Sequence, residues 1–215
     1  TPKILPTIPR KKLLQEITLN AMHKEISFPT FLTEEFSSFL GYFATEGHSY
    51  YQPSNHYAEI GISNTNPSIN PELSSLMKNL FKTHINYNIA LSQRRKRATR
   101  DLMTTRCCSV PLYSFFKKNF ESLLTKAPYK RIPNALKMTN PRVKRSFLKT
   151  AFKGDGFIDS ERFGYTTASY NLAKDYQDML LNLEIWSYIA TEHREKGRAT
   201  YKVVISGAES MEVFL

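Results

Sequence analysis

The 215-residue chain sets 30 Lys and Arg against 19 Asp and Glu, a formal charge of +11, and is 41% hydrophobic and 13% aromatic. That much apolar side chain can bury a core, which excludes a disordered basic tail. No apolar run approaches the roughly 18 residues of a membrane span, and the start Thr1-Pro2-Lys3-Ile4-Leu5-Pro6 lacks a signal-peptide pattern, so the expectation is a soluble cytoplasmic protein that meets no membrane.

In chain order, residues 10–24 read as a short basic amphipathic helix with Leu13, Leu14, Ile17 and Met22, behind a proline-studded leader. Residues 1–32 are therefore assigned to an N-terminal linker. A stronger helix follows Thr33: Glu34 and Glu35 favour its positive end, and Phe36, Phe39, Leu40 and Phe43 fall at i, i+3, i+4 and i+7 before it stops at Glu46-Gly47. Residues 49–52 and 57–63 predict a hairpin turned by Pro53-Ser54-Asn55-His56. A helix over 71–84 comes next, with Leu73, Leu76, Met77, Leu80 and Phe81 as its stripe. Residues 88–93 and 101–107 then predict a second hairpin joined by a basic run, and Pro111 opens a helix to about Leu124.

The order αββαββα then begins again. Asn140 caps a helix with Pro141 at its first position, and Val143, Phe147, Leu148, Ala151 and Phe152 line it until Asp155-Gly156. Hairpins over 157–167 and 186–206 flank a helix over 171–183, and a last helix starts near Ala208. The repeats are set at 33–125 and 141–215, joined by a linker at 126–140. Two copies of one unit, with closing acids 109 residues apart, predict a pseudo-symmetric α+β protein.

Residues 94–153 hold 17 basic residues and only two acids, Asp101 and Glu121. A charge this concentrated suits a polyanion, and nucleic acid is the usual one because each neutralised phosphate releases a counterion. Cys107 and Cys108 are adjacent, which disfavours a disulfide and gives no zinc spacing. No GxxxxGK loop exists, so ATP use is not expected.

Both repeats end their first helix on an acid followed by glycine. A carboxylate at the negative end of a helix is unfavourable, whereas a hard divalent cation bound there would reverse the cost. The glycines are expected to take the left-handed cap conformation. Gly41 and Thr45 in one helix, and Thr150 and Gly154 in the other, would let the two helices approach closely and bring their acids together.

Phe39-Leu40-Gly41-Tyr42-Phe43-Ala44-Thr45-Glu46-Gly47 and Leu148-Lys149-Thr150-Ala151-Phe152-Lys153-Gly154-Asp155-Gly156 resemble the paired LAGLIDADG motifs of homing endonucleases. Ile62-Ser63-Asn64-Thr65, Tyr165-Thr166-Thr167-Ala168-Ser169 and Lys130-Arg131-Ile132-Pro133 extend the resemblance to the intein-associated branch. The chain has no Cys or Ser at position 1 and no terminal His-Asn pair, so as given it is not expected to splice, and an excised nuclease domain is the expectation.

The resemblance implies a saddle of two antiparallel sheets with a central two-helix interface, and a monomer bound to double-stranded DNA. It implies cutting of both strands at a long asymmetric site with Mg²⁺, which Mn²⁺ can replace and Ca²⁺ can occupy without cleavage. Glu46 and Asp155 would hold metal with the carbonyls of Thr45 and Gly154. Lys130 would act on a phosphate or the attacking water, and Asn64 and Thr167 stand where a water-organising Gln is frequent. Groove readers would be Tyr50, Gln52, His56, Gln93, Arg94, Arg95, Arg97, Arg100 and Arg106 in the first half. In the second they would be Arg162, Tyr165, Tyr188, Arg194, Lys196, Arg198 and Lys202. Two other readings remain: a non-catalytic nucleic-acid-binding protein on the same scaffold, such as an RNA maturase, and a basic protein-interaction module.

Overall fold

The computed structural model describes residues 26–82, 86–90, 102–159, 162–193, 198–206 and 210. The predicted helix over 10–24, the basic run of 94–100 and the last helix apart from Ser210 lie outside them. In chain order the elements are α1 (Glu34–Glu46), β1 (Gly47–Gln52), β2 (Tyr57–Asn64), α2 (Ile69–Phe81), β3 (Asn86–Ala90), β4 (Leu102–Cys108) and α3 (Val110–Phe120). A short linker helix α4 (Asn134–Lys137) leads to α5 (Pro141–Asp155), β5 (Gly156–Ile158), β6 (Phe163–Thr167), α6 (Tyr170–Leu181), β7 (Ser187–Glu192) and β8 (Thr200–Ile205).

Short polar side chains start the helices. Thr33, Ser109, Asn140 and Ser169 each accept a hydrogen bond from the backbone N–H three residues on, satisfying a donor that has no partner within the helix. Each repeat builds one antiparallel sheet with the same strand order, β1-β2-β4-β3 and β5-β6-β8-β7. Alternation decides the faces. Ala58, Ile60 and Ile62 of β2 are buried, as are Phe163, Tyr165 and Thr167 of β6; their neighbours in sequence face the other side.

The first half packs around phenylalanines: Phe36 meets Phe120 at 5.4 Å and Phe43 meets Phe116 at 5.2 Å between ring centroids. The second half uses Phe147, Tyr165 and Tyr176, the two tyrosines stacked at 4.5 Å. Asp175, fully buried on α6, ties the linker down by accepting from Arg131, Lys137 and the Ile132 N–H.

Between the halves α1 and α5 run parallel. Ser37 donates to Val143 O and Thr150 donates to Ser38 O, both at 2.7 Å, so side-chain to backbone bonds cross the seam. A Cβ on Gly41 would lie 2.1 Å from Thr150 Oγ1 and 2.3 Å from Phe147 O, and one on Gly154 would lie 2.2 Å from Thr45 Oγ1. The small residues thus set how closely the helices approach, in agreement with the sequence reading. No helix among the described residues is long and apolar enough to cross a membrane.

A candidate metal and nucleic-acid site

The last residues of α1 and α5 are Glu46 and Asp155, each at the point where its helix runs directly into an edge strand. The glycines after them are not left-handed. Gly47 has φ −76° and ψ 144°, and Gly156 has φ −72° and ψ 150°, both extended. Space is what requires glycine here: a Cβ would stand 2.2 Å from the carbonyl oxygen of Phe43 or of Phe152. The chain leaves the helix straight into the strand and keeps the acid at the tip.

The charge of Asp155 reaches Glu46 across the seam. Burial, then the charge of Asp155, pushes Glu46 up to about 7, with Lys130 opposing. Burial raises Asp155 to about 6, again against Lys130. The Cβ position of Gly154 lies 3.4 Å from Glu46 Cγ, so the second helix passes directly beside the first acid. Asn64 Nδ2 donates to Glu46 Oε1 at 3.1 Å, while its Oδ1 accepts from the Asn66 N–H. Thr167, at the corresponding end of β6, is too short for both tasks. Its hydroxyl accepts from the Ser169 N–H at 3.1 Å, and no bond to Asp155 accompanies it.

Lys130 is buried, and its ammonium donates to Phe43 O at 3.0 Å, Ala44 O at 3.1 Å and Gly47 O at 2.8 Å. An ammonium has three donors, so this arrangement leaves none for a phosphate. The lysine instead gathers carbonyls at the junction of α1 and β1, one of them, Phe43 O, shared with the Gly47 N–H, and its charge opposes the negative helix end. Burial lowers it to about 8, against the pull of Asp155 and Glu46.

The two carboxylates, with the carbonyls of Thr45 and Gly154 at the last turns, would offer an all-oxygen donor set, the type that Mg²⁺, Mn²⁺ and Ca²⁺ take. Burial is the main cause of both upward shifts, with Asp155 adding to that of Glu46; a divalent cation would offset the cost of burying the ionised acids, so these residues fit one. Among the described residues no group of three or more His, Cys, Asp or Glu gathers to hold a metal ion, here or elsewhere.

Of the expected groove readers, Tyr50 and Tyr188 are about half exposed on the outward sheet faces, and Tyr50 OH donates to Gln52 Oε1. His56 is exposed at the hairpin turn with φ 46°. Arg106 faces outward paired to Glu59, Arg162 pairs with Asp159 and Lys202 with Glu192, and Arg198 is exposed. Gln93, Arg94, Arg95, Arg97, Arg100, Arg194 and Lys196 lie outside the described residues. Tyr165 is a correction. It is fully buried and donates to Leu148 O at 3.0 Å, because the alternation of β6 turns Phe163, Tyr165 and Thr167 inward; a tyrosine can bury its ring once its hydroxyl finds a carbonyl. Glu59 escapes the sequence reading, although Ala58, Ile60 and Ile62 around it already place it on the outer face. Cys107 is buried and Cys108 exposed, and neither forms a disulfide.

This architecture, two antiparallel sheets around paired helices whose tips carry the acids, is the LAGLIDADG fold. Residues 142–215 match the family described as a LAGLIDADG-like domain. The homing endonuclease I-DmoI, in complex with DNA and Mn, superposes with a TM-score of 0.61 at 18% identity, covering 85% of this chain and 94% of that one. The N-terminal LAGLIDADG domain of WhiA gives 0.55 at 17% identity, covering 94% and 90%. In sequence, 88% of the chain is 28% identical to part of an A-type ATP synthase polypeptide of Pyrococcus abyssi. A similar share is 25% identical to part of the glutamine–fructose-6-phosphate aminotransferase of Methanocaldococcus jannaschii. The chain spans only 17% and 16% of the length of these curated relatives.

Proposed function

We propose that the chain is a site-specific DNA endonuclease of the homing type, which hydrolyses both strands of a long asymmetric site and leaves a staggered break. The observation that carries this reading is the meeting of Glu46 and Asp155 at paired helix tips, between two sheets whose outer faces are polar. A bound divalent ion, Mg²⁺ by preference, supplies Lewis-acid stabilisation of charge at the scissile phosphate.

The chain's own part is positioning. Glu46, Asp155 and the carbonyls of Thr45 and Gly154 hold the ion, one acid for each strand. Asn64 fixes the rotamer of Glu46, and Lys130 fixes the end of α1 from which Glu46 projects. The outer sheet faces with the basic segment around Arg94–Arg100 engage the DNA, Arg on base edges and Lys on phosphates. The two curated relatives perform unrelated chemistry, yet each contains a segment similar to this chain. That pattern supports an inserted element, a nuclease of the intein-associated branch carried within a larger host protein and acting as a monomer.

The match to WhiA's LAGLIDADG domain favours a second reading, DNA or RNA binding without cleavage. One experiment separates them: a randomised duplex library incubated with the protein and Mg²⁺ or Mn²⁺, with cut and bound fractions sequenced. The nuclease reading expects double-strand cuts in the wild type, none with Glu46→Gln or Asp155→Asn, and binding retained in both. Binding without cuts in the wild type establishes the second reading, and normal cutting by either variant removes that acid from the mechanism.

A further inference from the structure

On the outer face of the first sheet, the register sets Tyr50, Glu59 and Cys108 in one row and His48, Gly61 and Arg106 in the next. Across β1, β2 and β4, Glu59 is the one acid and Arg106 the one Lys or Arg. Glu59 nevertheless keeps only 11% of its side chain exposed, because its neighbours close over it. Its Oε2 accepts from Arg106 Nη1 at 3.0 Å and from Tyr57 OH at 2.8 Å, and His48 Nε2 stands 3.4 Å from Oε1. Tyr57 OH in turn contacts Cys108 Sγ at 3.3 Å.

Gly61 makes this possible. A Cβ there would lie 2.6 Å from His48 Nε2 and 3.3 Å from Arg106 Cβ, so the missing side chain leaves the space over which both cross toward the carboxylate. A carboxylate on a surface that faces DNA repels phosphate and weakens binding. Affinity does not explain its presence; geometry does. A guanidinium carries five donors in a rigid fork. Glu59 engages one of them, and the arginine side chain is still a third exposed.

We infer that Glu59 is a positioning residue for sequence recognition: it holds Arg106 in one geometry as a guanine reader on the first sheet. This rests on the DNA-binding part of the proposed function. An arginine held in place before binding loses less freedom on contact, and a guanidinium matched to O6 and N7 of guanine rejects other bases. On the second sheet the outward-facing cation paired to an acid is Lys202, with Glu192. An ammonium has no such fork, so that pair is no counterpart of Glu59 and Arg106.

The test uses the full chain and a random duplex library without divalent metal, with the bound fraction sequenced for wild type, Glu59→Ala, Glu59→Gln and Arg106→Lys. The wild type should select a guanine at one position, and Arg106→Lys should lose it by about fivefold or more. Glu59→Ala should lose the same guanine while the other positions and total binding at low salt are retained or improved, and Glu59→Gln, which keeps one acceptor, should fall between. If Glu59→Ala keeps the guanine that Arg106→Lys loses, Arg106 reads alone and the inference fails. If Glu59→Ala flattens every position, Glu59 only supports the fold and the inference fails too. A wild type that selects no bases refutes site-specific recognition itself, before any variant is compared.

Discussion

Replacing Glu46 by Gln should stabilise the metal-free protein at pH 8, although it removes a proposed metal ligand. In the fold this carboxyl sits near 7 rather than 4.5, through burial and then the charge of Asp155, so the protonated form is tolerated and the ionised form is not. Its favourable contribution is therefore intact below pH 4.5 and is lost as the pH rises through 7. Moving a carboxyl over that range corresponds to a ceiling of about 3 kcal/mol. Glu46 is only half-buried and also serves as counter-charge to Lys130, so solvent screening leaves about 1–2 kcal/mol. Gln keeps an oxygen for the Asn64 amide and carries no charge, which makes it the stand-in for the protonated acid. Thermal unfolding in a chelator should place the Gln variant roughly 2–8 °C above wild type at pH 8 and level with it near pH 4.5. Adding Mg²⁺ or Ca²⁺ should raise the wild type at pH 8, because a ligand that binds only the folded state stabilises it, and should do so much less in the variant. A Gln variant no more stable than wild type at pH 8, or one gaining equally at both pH values, would refute this account of the acid pair.

Other substitutions probe the seam and its supports. Gly41→Val places a side chain into Thr150 Oγ1 and the Phe147 carbonyl; it should cost about 3 kcal/mol or more in urea unfolding, and a neutral result would mean that the helices are not in contact. Lys130→Met keeps the hydrocarbon stem but abandons three carbonyls. A loss of about 2–4 kcal/mol is expected, whereas unchanged stability would return the lysine to a phosphate-contacting role. Asp175→Asn leaves Arg131 and Lys137 without their shared buried charge and should cost about 3 kcal/mol; proteolysis within 126–140 should quicken in parallel, and if it does not, the linker is held by something else.

Much of the architecture was legible in the sequence because each signal was local. Caps at Thr33 and Asn140, the i, i+3, i+4 stripe of Phe36 to Phe43 and the doubled acid-glycine ends all depend on neighbours within a turn or two. The repeat let one half check the other, and the small residues Gly41, Thr45, Thr150 and Gly154 announced a close helix pair. Three features needed the folded chain. Tyr165 and Tyr50 read alike in sequence, yet strand register sends one into the core and leaves the other outside. Lys130 has the charge of a phosphate ligand, but its partner, the Gly47 carbonyl, lies 83 positions away in the chain, and no local pattern encodes that partner. Glu59 acquires its meaning only when pairing sets Arg106 beside it.

The sequence by itself determined the order of the main helices and strands, and where the two acids stand along the chain, since those follow from periodicity and capping. Tertiary structure decided what each charge faces: whether a cation meets a carbonyl or a carboxylate, and whether an acid is ionised. Those outcomes depend on burial and on distances of a few ångströms between segments remote in the chain, over which electrostatic energies change steeply.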